Sequence, residues 1–493
     1  MSKITISNLN FNYENSCDSI FENVSFIIDT DWKLGFIGRN GRGKTTFLRL
    51  LMGEYAYNGK ISSAVGFTYF PFDVSNKSKS VIKVVSEIYS DFQQWEFQRE
   101  ISLLNLDDEI LQKSFETLSN GQQTKILLAI LFLKENNFLL IDEPTNHLDA
   151  ESRDIVSKYL QSKKGFILVS HDRAFLDSCI DHVLSINRTN IEVQQGNFTS
   201  WWLNKKYQDD FEFTESEKLK KDIRHLEKSA KQTRDWGDKI EASKYGGKRD
   251  SGLKPDRGFI GHKAAKMMKR SISAQNRKEK LVSDKSKLLK NLETAENLKL
   301  NPLIYRRNKL VGISNLSVFY DDIRVCENVN FDIKIGDRIH LHGKNGCGKS
   351  SVLKLILNKQ IKYSGDLNIA NDLKISYIPQ DTSYLKGDLT GFSKINNLDE
   401  CLFKTILRKL NFQRTQFDKN IEDFSSGQKK KVLIAKSLCE QTHLYIWDEP
   451  LNFIDILSRI QIEDLILKYM PTMIFVEHDK TFSEKIRTKE IKL

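Results

Sequence analysis

The sequence predicts an α/β protein in which two tandem copies of one phosphate-loop domain are joined by a long α-helical hairpin. Four short motifs occur twice in the same order, about 305 residues apart, which indicates a duplicated domain. In each copy an apolar run leads into a glycine-rich turn and then a helix-like segment, which is typical of a strand–loop–helix unit. Between the copies lies a charged stretch whose apolar residues recur at helical spacing.

The composition favours a well-packed protein of a reducing compartment. The chain has 493 residues, and its 29 Phe and 15 Tyr are ample for two buried cores. No stretch approaches 18 apolar residues, which excludes a membrane-spanning helix, and residues 1–11 lack the apolar block of a signal peptide. The six Cys lie far apart without a C-x-x-C pair, which argues against a zinc ribbon or a disulfide framework. We therefore expect a cytoplasmic protein that has no membrane partner.

The repeat defines the predicted domains. The paired motifs are GRNGRGKT from Gly38 and GKNGCGKS from Gly343, LSNGQQ from Leu118 and FSSGQK from Phe424, FLLIDEP from Phe138 and LYIWDEP from Leu444, and SHD from Ser170 and EHD from Glu477. We predict a first domain over residues 1–203, with a short helical insertion at about 75–112, and a second domain over 306–493. Residues 204–305 are then a basic linker, with its tip at about 240–262.

The glycine-rich turns have the spacing of a phosphate-binding loop, G-x-x-x-x-G-K-[ST]. Glycines let backbone N–H groups approach phosphate oxygens, and the following helix directs its positive end at them. Lys44 and Lys349 would reach the β- and γ-phosphates, and the hydroxyls of Thr45 and Ser350 would bind Mg²⁺. One match alone is a weak signal, but two matches in the same strand–loop–helix context are very unlikely to arise by chance.

Each copy also places an Asp-Glu pair after an apolar run. Asp142 and Asp448 are suited to the Mg²⁺ shell, and Glu143 and Glu449 are placed to polarise an attacking water as general bases. An isolated Asp-Glu pair is more simply a solvated helix cap. Because the pair recurs at the spacing of the other motifs, we favour the catalytic interpretation.

The linker holds the excess positive charge of the chain. Residues 205–309 contain 29 basic and 16 acidic side chains, a net charge of +13, whereas the remainder of the chain has a net charge of −2. Apolar residues at 3–4 spacing predict helices over about 204–236 and 262–300, most simply an antiparallel hairpin. We expect the glycine-rich segment 244–261 to be the turn, with Gly258 and Gly261 outside either helix.

Basic side chains concentrated in one segment suggest a polyanionic partner such as RNA. Two aromatic side chains of the tip could stack on unpaired bases. The alternative is a solvated coiled coil, which needs no net charge of this size. The predicted contact residues of the tip are Lys244, Tyr245, Lys248, Arg249, Lys254, Arg257 and Phe259.

These motifs together resemble the ATP-binding-cassette superfamily, so that the fold class becomes two tandem P-loop ATP-binding-cassette domains and a helical linker. LSNGQ and SSGQK are similar to its signature motif, His171 and His478 to its switch histidine, and Asp149 to its aspartate loop. Tyr13 and Tyr320 resemble the aromatic residue that stacks on adenine. The family's geometry implies a head-to-tail pair of cassettes within one monomer, in which each phosphate loop faces the signature of the other cassette.

The resemblance implies two composite sites for ATP and Mg²⁺. Site one would join the first cassette's Tyr13, Gly38, Arg39, Asn40, Gly41, Arg42, Gly43, Lys44, Thr45, Thr46, Asp142, Glu143 and His171 to Ser425, Gly427 and Gln428 of the second. Site two would join Tyr320, Gly343, Lys344, Asn345, Gly346, Cys347, Gly348, Lys349, Ser350, Ser351, Gln380, Asp448, Glu449 and His478 to Ser119, Gly121 and Gln122. The Mg²⁺ ligands implied are Thr45, Asp142, Ser350, Gln380 and Asp448. The implied reaction is hydrolysis of ATP to ADP and phosphate.

Two cassettes on one chain with a charged helical linker resemble the ABC-F group of ribosome-binding translation ATPases, and within it the antibiotic-resistance proteins of the Lsa and Vga type. The resemblance implies binding to the 70S ribosome at the exit-site region, near tRNA and 23S rRNA. It further implies displacement of large-subunit drugs, such as lincosamides, streptogramins A and pleuromutilins. The alternatives are a housekeeping ABC-F factor acting on stalled ribosomes, the ATPase of a drug exporter, and a DNA-repair or chromosome-structuring ATPase.

Four departures from the family pattern predict unequal sites. Phe72 stands where the second cassette has Gln380, and a phenyl ring cannot bind Mg²⁺ or orient water. The other departures are Asn120 in place of a signature glycine, Phe453 at the position of His147, and Glu477 at the position of Ser170.

Overall fold

A computed structural model describes residues 2–13, 19–134, 137–146, 148–187, 191–242, 256–288, 298–320, 323–344, 346–358 and 360–493. Contacts between residues divide the chain into two compact units, one over Met1–Thr199 and Ala295–Leu493 and the other over Ser200–Thr294. The predicted α/β fold class, with two cassettes and a helical linker, is confirmed. Among the described residues, no helix has the length and apolar character needed to cross a bilayer.

The first cassette combines a small antiparallel sheet with a larger, mostly parallel one, in the strand orders β2-β1-β4 and β5-β6-β7-β3-β8-β9. The α2 and α3 helices below fall in the segment where the sequence predicts a helical insertion. Its elements are β1 (Lys3–Asn12), β2 (Ser19–Asp29), β3 (Lys33–Ile37), α1 (Lys44–Leu51), β4 (Asn58–Ser62), β5 (Gly66–Phe70), α2 (Val81–Ile88), α3 (Gln94–Leu103), α4 (Asn120–Leu131), β6 (Asn137–Asp142), α5 (Ala150–Gln161), β7 (Phe166–Val169), α6 (Arg173–Cys179), β8 (His182–Ile186) and β9 (Ile191–Gln195).

The linker contains two long helices, α7 (Phe198–Ala242) and α8 (Arg257–Leu288). They pair in antiparallel fashion: Lys278 Nζ lies 2.8 Å from Glu227 Oε1, and Ser271 Oγ donates to the carbonyl of Ala230 at 3.2 Å. The chain positions of these partners run in opposite directions, so the two helices form the predicted hairpin.

The prediction that Gly258 and Gly261 lie outside the helices is wrong, because α8 begins at Arg257. The Asp256 carboxylate accepts hydrogen bonds from the backbone N–H groups of Gly258 and Phe259, at 2.9 and 3.1 Å. Such a cap contributes about 1 kcal/mol, which is close to the cost of one glycine in a helix. A helix start can therefore include glycine when a capping carboxylate precedes it.

Most predicted contact residues of the tip lie outside the described residues, namely Lys244, Tyr245, Lys248, Arg249 and Lys254. The structure places Arg257 at the first position of α8, and its side chain is also outside the described set. Phe259 follows in the first turn of α8, and 67% of its surface is exposed. The structure describes α8 as far as Leu288, and residues 298–300, where the second helix was predicted to end, are not helical. Residues 289–297 of that prediction lie outside the described set.

The second cassette repeats the plan with the strand orders β11-β10-β13 and β14-β15-β16-β12-β17, the latter parallel throughout. Buried apolar residues of the two faces of this sheet form separate cores. Its elements are β10 (Lys309–Tyr320), β11 (Ile323–Lys334), β12 (Arg338–His342), α9 (Lys349–Ile356), β13 (Lys362–Ile369), β14 (Ile375–Ile378), α10 (Leu389–Ile395), α11 (Glu400–Lys409), α12 (Ser426–Cys439), β15 (Leu444–Asp448), α13 (Ile456–Tyr469), β16 (Met473–Val476), α14 (Lys480–Ile486) and β17 (Lys489–Lys492).

The strand order brings the functional motifs to one edge of each parallel sheet. The phosphate loops follow β3 and β12, the Asp-Glu pairs end β6 and β15, and the switch histidines follow β7 and β16. Because β7 lies between β6 and β3, and β16 between β15 and β12, all three motifs meet at the carboxyl ends of neighbouring strands. This is the edge at which open α/β sheets bind ligands.

The two cassettes contact each other through buried charges. Arg173 Nη2 donates to Glu463 Oε2 at 2.6 Å, and Lys485 Nζ lies 2.7 Å from the other carboxylate oxygen. The Arg173 and Glu463 side chains are only 6% and 3% exposed. Removing one partner alone would leave the other charge buried and unpaired, at a cost of about 3–5 kcal/mol.

Candidate nucleotide sites between the two cassettes

Both phosphate loops have a backbone that requires glycine. Gly43 and Gly348 have φ values of 90° and 94°, the left-handed region that L side chains rarely adopt. A Cβ atom on Gly43 would also lie 2.6 Å from the Ile20 side chain. The loops therefore wrap closely at the starts of α1 and α9, whose free N–H groups suit an anion.

The loop lysines lie against their own loops. Lys44 Nζ donates to the Gly38 carbonyl at 2.6 Å, and Lys349 Nζ donates to the Gly343 carbonyl at 2.8 Å. Both residues are less than a tenth exposed, and burial lowers the pKa of Lys44. Each ammonium group thus lies over the concave side of its loop, where it can interact with a phosphate.

A hydroxyl and a carboxylate face each other beside each loop. Thr45 Oγ1 donates to Asp142 Oδ2 at 2.9 Å, and Tyr69 donates to the same oxygen at 3.1 Å. In the second cassette Asp448 is buried, and burial raises the pKa of its carboxyl. Its Oδ1 has no hydrogen-bond partner among the described residues. A buried oxygen without a donor, next to a hydroxyl residue, fits a hard divalent cation such as Mg²⁺.

The glutamates that follow are both in the left-handed backbone region, with φ of 51° at Glu143 and 48° at Glu449. This conformation costs about 1–3 kcal/mol for a residue other than glycine, so the surrounding structure must hold both glutamates in it. In site one, Glu143 Oε1 lies 3.3 Å from His171 Nε2. Burial, and then the charge of Asp142, raises the pKa of Glu143 to about 8. Burial and the nearby charges of Lys44 and Arg459 hold the pKa of His171 well below its usual value.

Glu449 in site two has a different environment. Its Oε2 accepts hydrogen bonds from Gln380 Nε2 at 2.9 Å and from Asn452 Nδ2 at 2.6 Å, and its Oε1 lies 3.5 Å from His478 Nε2. Burial acts to raise the pKa of Glu449, but the hydrogen bond and charge of His478 and the Gln380 amide outweigh it, so the pKa is lowered. Glu449 is therefore ionised at neutral pH.

The signature residues begin helices α4 and α12. Ser119 Oγ accepts from the Gln122 N–H, and the Gln122 side chain accepts from the Ser119 N–H, which is a capping box. Ser425 and Gln428 form the same reciprocal pair at α12. The serine and glutamine that the sequence singles out thus also fix the starts of these helices.

Site two is a cavity between the cassettes with a volume of about 930 Å³. The second cassette contributes its phosphate loop, the adenine-stacking candidate Tyr320, Gln380, Glu449 and the switch His478. The first cassette contributes its signature and aspartate loop to the opposite wall. The lining residues that the sequence predicts are Ser119, Gly121, Gln122, Asp149, Tyr320, Lys344, Gly346, Gly348, Lys349, Ser350, Ser351, Gln380, Glu449 and His478.

At site one the facing loops touch. Asn40 Nδ2, in the first phosphate loop, donates to the carbonyl of Phe453 at 2.8 Å. Gly427 of the second signature lies in the same contact, since a Cβ there would lie 2.4 Å from the Phe453 oxygen and 3.3 Å from the Asn40 amide. A side chain of the phosphate loop thus reaches the signature and aspartate loop of the other cassette directly.

The remaining predicted residues lie beside the loops. Tyr13 OH is 2.9 Å from Thr46 Oγ1, and Ser351 Oγ donates to Tyr320 OH at 3.3 Å, so each adenine candidate lies against the helix that follows its loop. Gly38, Arg39, Gly41, Arg42, Gly343 and Cys347 lie within the loops themselves. Asn345 and the aspartate-loop residue His147 lie outside the described residues.

Phe72, at the position of Gln380, has no polar group to offer Glu143. Its ring instead lies 5.6 Å from the ammonium of Lys134, a cation–π distance.

Sequence reasoning missed several lining residues. Lys430 is 3% exposed at the cavity, and its Nζ donates to the Pro379 carbonyl at 2.9 Å. The first cassette has Thr124 at that position, so the repeat contained no signal for it. Asn146 and Asn452 also line the cavity, and their recurrence in the two Asp-Glu motifs could have identified them.

Comparison with known proteins agrees with this geometry. A family model described as ABC transporter matches residues 21–146 and 326–452, which together make up just over half of the chain. The ATP-binding protein Uup of Buchnera aphidicola (subsp. Acyrthosiphon pisum, strain APS) is 26% identical over 99% of this chain and 80% of its own length. Ribosome protection protein VmlR of Bacillus subtilis (strain 168) is 24% identical over 99% of this chain and 86% of its own.

A solved structure shows the same fold. The archaeal ribosome recycling factor aABCE1, in its complex with the stalk protein aP1, superposes with a TM-score of 0.63 at 17% identity, over 98% of this chain and 87% of that one. A plant relative with similar coverage, ABC transporter F family member 2 of Arabidopsis thaliana, is 24% identical over the whole of this chain and 76% of its own length. With both cassettes matched and the similarity running through the linker, the chain belongs to the ABC transporter family and is of the ABC-F type.

Proposed function

We propose that this protein is a cytoplasmic ATPase that binds the 70S ribosome and protects it from antibiotics of the large subunit. The observation that carries the ATPase part is the site-two cavity, in which one cassette contributes the phosphate loop and the other the signature. Such a cavity encloses a nucleotide only when the cassettes are paired. ATP would thereby stabilise the paired state, and hydrolysis would release it.

In this proposal the phosphate loop binds the nucleotide through its backbone N–H groups, while Lys349 leaves the Gly343 carbonyl for the β- and γ-phosphates. Ser350, Asp448 and Gln380 would hold Mg²⁺ in site two, and Thr45 and Asp142 would hold it in site one. When bound, Mg²⁺ would neutralise part of the negative charge of the phosphates. Ser119, Gly121 and Gln122 close the site from the other cassette.

Glu449 is the proposed general base of site two. Its carboxylate is ionised and its Oε2 is fixed by two amide donors, so Oε1 is the oxygen left to orient a water. His478 lies beside that oxygen and positions it. Glu143 and His171 have the corresponding roles in site one, where the carboxyl must first lose its proton. General-base help of this kind contributes roughly 10²–10⁴ in rate.

The partner is inferred from the linker. Its net charge of +13 over residues 205–309 suits the phosphates of 23S rRNA and of tRNA near the exit site. The exposed Phe259 is an aromatic surface for base stacking near the tip. The similarity to VmlR, which is named a ribosome protection protein, also favours the ribosome as the partner. The drugs proposed are lincosamides, streptogramins A and pleuromutilins, and the protein acts as a monomer with intramolecular pairing of cassettes.

The test is the double variant Glu143→Gln with Glu449→Gln. Loss of both bases should slow hydrolysis and trap the ATP-bound pair, so the protein should pellet with purified 70S ribosomes when ATP is present. A matched control adds Lys263→Glu, Lys266→Glu and Lys269→Glu on α8, which should weaken pelleting and reduce its salt dependence. Failure of the trapped protein to bind ribosomes would exclude the proposal.

A second candidate is a housekeeping ABC-F factor that acts on stalled ribosomes, and the similarity to Uup over nearly the whole chain favours it. Expression in a drug-sensitive host separates the two. Protection predicts raised minimum inhibitory concentrations for at least one of the three drug classes, and loss of that effect in the double Gln variant. Unchanged inhibitory concentrations for all three, with ribosome binding retained, would favour the housekeeping role.

A further inference from the structure

Two histidines and a glutamate converge behind the second phosphate loop. His340 and His342 are alternate residues of β12, so they share one face of the strand, and Glu490 pairs with His340 on the neighbouring β17. One ligand atom of each residue lies within 4.8 Å of the others. The strand β12 leads directly into the glycine-rich loop of site two, so the cluster lies at the base of that loop.

The hydrogen bonding of His340 fixes which of its nitrogens is free. Its Nε2 lies 3.0 Å from the carbonyl oxygen of Glu477, and because a carbonyl can only accept, Nε2 must carry the proton. Nδ1 is then unprotonated and carries a lone pair. It has no hydrogen-bond partner among the described residues, although the side chain is only 3% exposed. Burial lowers the pKa of His340 to about 4, so the ring is neutral at physiological pH.

That lone pair faces a carboxylate. Nδ1 of His340 lies 3.5 Å from Glu490 Oε1, and a cation between these two acceptors would give Nδ1 the partner it lacks. Two ligands of a tetrahedral zinc ion are about 3.3–3.5 Å apart, given bonds of about 2.0–2.2 Å. The Nε2–carbonyl bond is also the contact that usually orients a metal-binding histidine.

The surroundings permit a metal ion. Arg487 Nη1 lies 2.5 Å from Glu490 Oε1, and a ligating carboxylate commonly keeps such a hydrogen bond. Burial also lowers the pKa of His342, which favours its neutral, metal-binding form. His342 and Glu490 are more exposed than His340, so solvent can reach the cluster and supply a fourth ligand.

The first cassette offers an internal comparison. Gly35 and Ile37 of β3 stand at the positions of His340 and His342, and Val183, paired with Gly35 on β8, stands at the position of Glu490. All three ligands are thus absent from one copy and present in the other. The fold does not require the cluster, because the equivalent strands of the first cassette form without it.

We propose that His340, His342 and Glu490 form a Zn²⁺ site in the second cassette, completed by water. Two imidazole ligands suit zinc and other first-row divalent ions, whereas Mg²⁺ prefers oxygen ligands alone. The metal would hold β12 against β17. Through His340 it would also hold the Glu477 carbonyl, next to the switch His478. Zinc would therefore act on site two and leave site one unaffected, a consequence that rests on the proposed ATPase function, whereas binding itself does not.

The test measures Zn²⁺ binding to the untagged, chelator-treated chain without nucleotide, by competition with a chromophoric chelator in excess Mg²⁺. One Zn²⁺ per chain is expected, and Co²⁺ in its place should show the visible bands of tetrahedral coordination. His342→Asn and Glu490→Gln, each at an exposed or half-exposed position where folding is tolerant, should each weaken binding at least about 100-fold.

Two controls separate this site from other metal-binding groups. Asp448→Asn removes the carboxylate of the nucleotide site, and Cys347→Ser removes the nearby loop thiol; both should bind Zn²⁺ as the unchanged chain does. Equal binding by the His342 and Glu490 variants, or no binding by the unchanged chain at micromolar Zn²⁺, would overturn the proposal. Neither result bears on ribosome binding, so the zinc proposal can fail while the proposed function stands.

Discussion

The two nucleotide sites share their motifs but differ in what surrounds the glutamate. In site two, Gln380 and Asn452 donate to one oxygen of Glu449, and the carboxylate is ionised. In site one, Phe72 replaces the glutamine, and burial raises the pKa of Glu143 to about 8. The difference shows that identical Asp-Glu pairs acquire different chemistry from the donors and charges around them. We therefore expect site two to carry most of the proposed ATP hydrolysis at neutral pH.

The largest effect should come from removing each glutamate singly. Glu449→Gln is expected to lower ATP turnover at pH 7 by about 100-fold at site two, whereas Glu143→Gln should change the total by less than about twofold. The reason is that the Glu143 carboxyl is mostly protonated at that pH. Steady-state phosphate release measures both variants. Equal losses would show that the sites are equivalent once nucleotide is bound.

The next effect concerns pH. A general base works only when ionised, so a Glu143 pKa of about 8 means that its active fraction rises roughly tenfold between pH 7 and pH 9. Residual turnover of the Glu449→Gln variant should follow that rise. The matched Glu143→Gln variant should be flat over this range, because the lowered pKa of Glu449 keeps that group ionised throughout. A flat profile in both variants would contradict the assignment.

A smaller effect is expected from exchanging the residues at the glutamine position. Phe72→Gln would give Glu143 an amide donor like that of Gln380, which should lower its pKa and raise turnover of the Glu449→Gln variant several-fold at pH 7. The measurement is the pH at which turnover of the Phe72→Gln, Glu449→Gln double variant reaches half of its maximum, and this pH should move below 8. Gln380→Phe is the reciprocal control and should move the midpoint of site two upward.

The smallest effect concerns the direct contact at site one. Asn40→Ala removes the hydrogen bond to the Phe453 carbonyl across the cassettes, at a cost of about 1 kcal/mol. Calorimetry should show the Tm falling by about 1 °C, since the two cassettes form one compact unit. Lys344→Ala is the control, because its ion pair with Glu151 is exposed and should contribute less. An equal shift in both variants would mean that Asn40 contributes no more than a surface contact.

The sequence was sufficient for the fold class and for many of the residues that line the site-two cavity. Repeated motifs are local, and the strand order of an α/β sheet then brings them to one edge. What it could not reveal depends on contacts between distant segments. Lys430 has no counterpart in the first cassette, and the capping role of Asp256 made Gly258 and Gly261 helical against their usual preference. The His340 cluster depends on β17 pairing with β12, which no local pattern indicates.

The buried Arg173–Glu463 pair limits how the cassettes can separate. Full detachment would break this bond, whereas a rotation about the pair would keep it formed. We therefore expect the Arg173–Glu463 contact to act as a pivot. The cassettes would rotate about it to open the nucleotide clefts, and this contact would stay formed. The two halves could then meet again quickly after each turnover, because their relative orientation would never be lost.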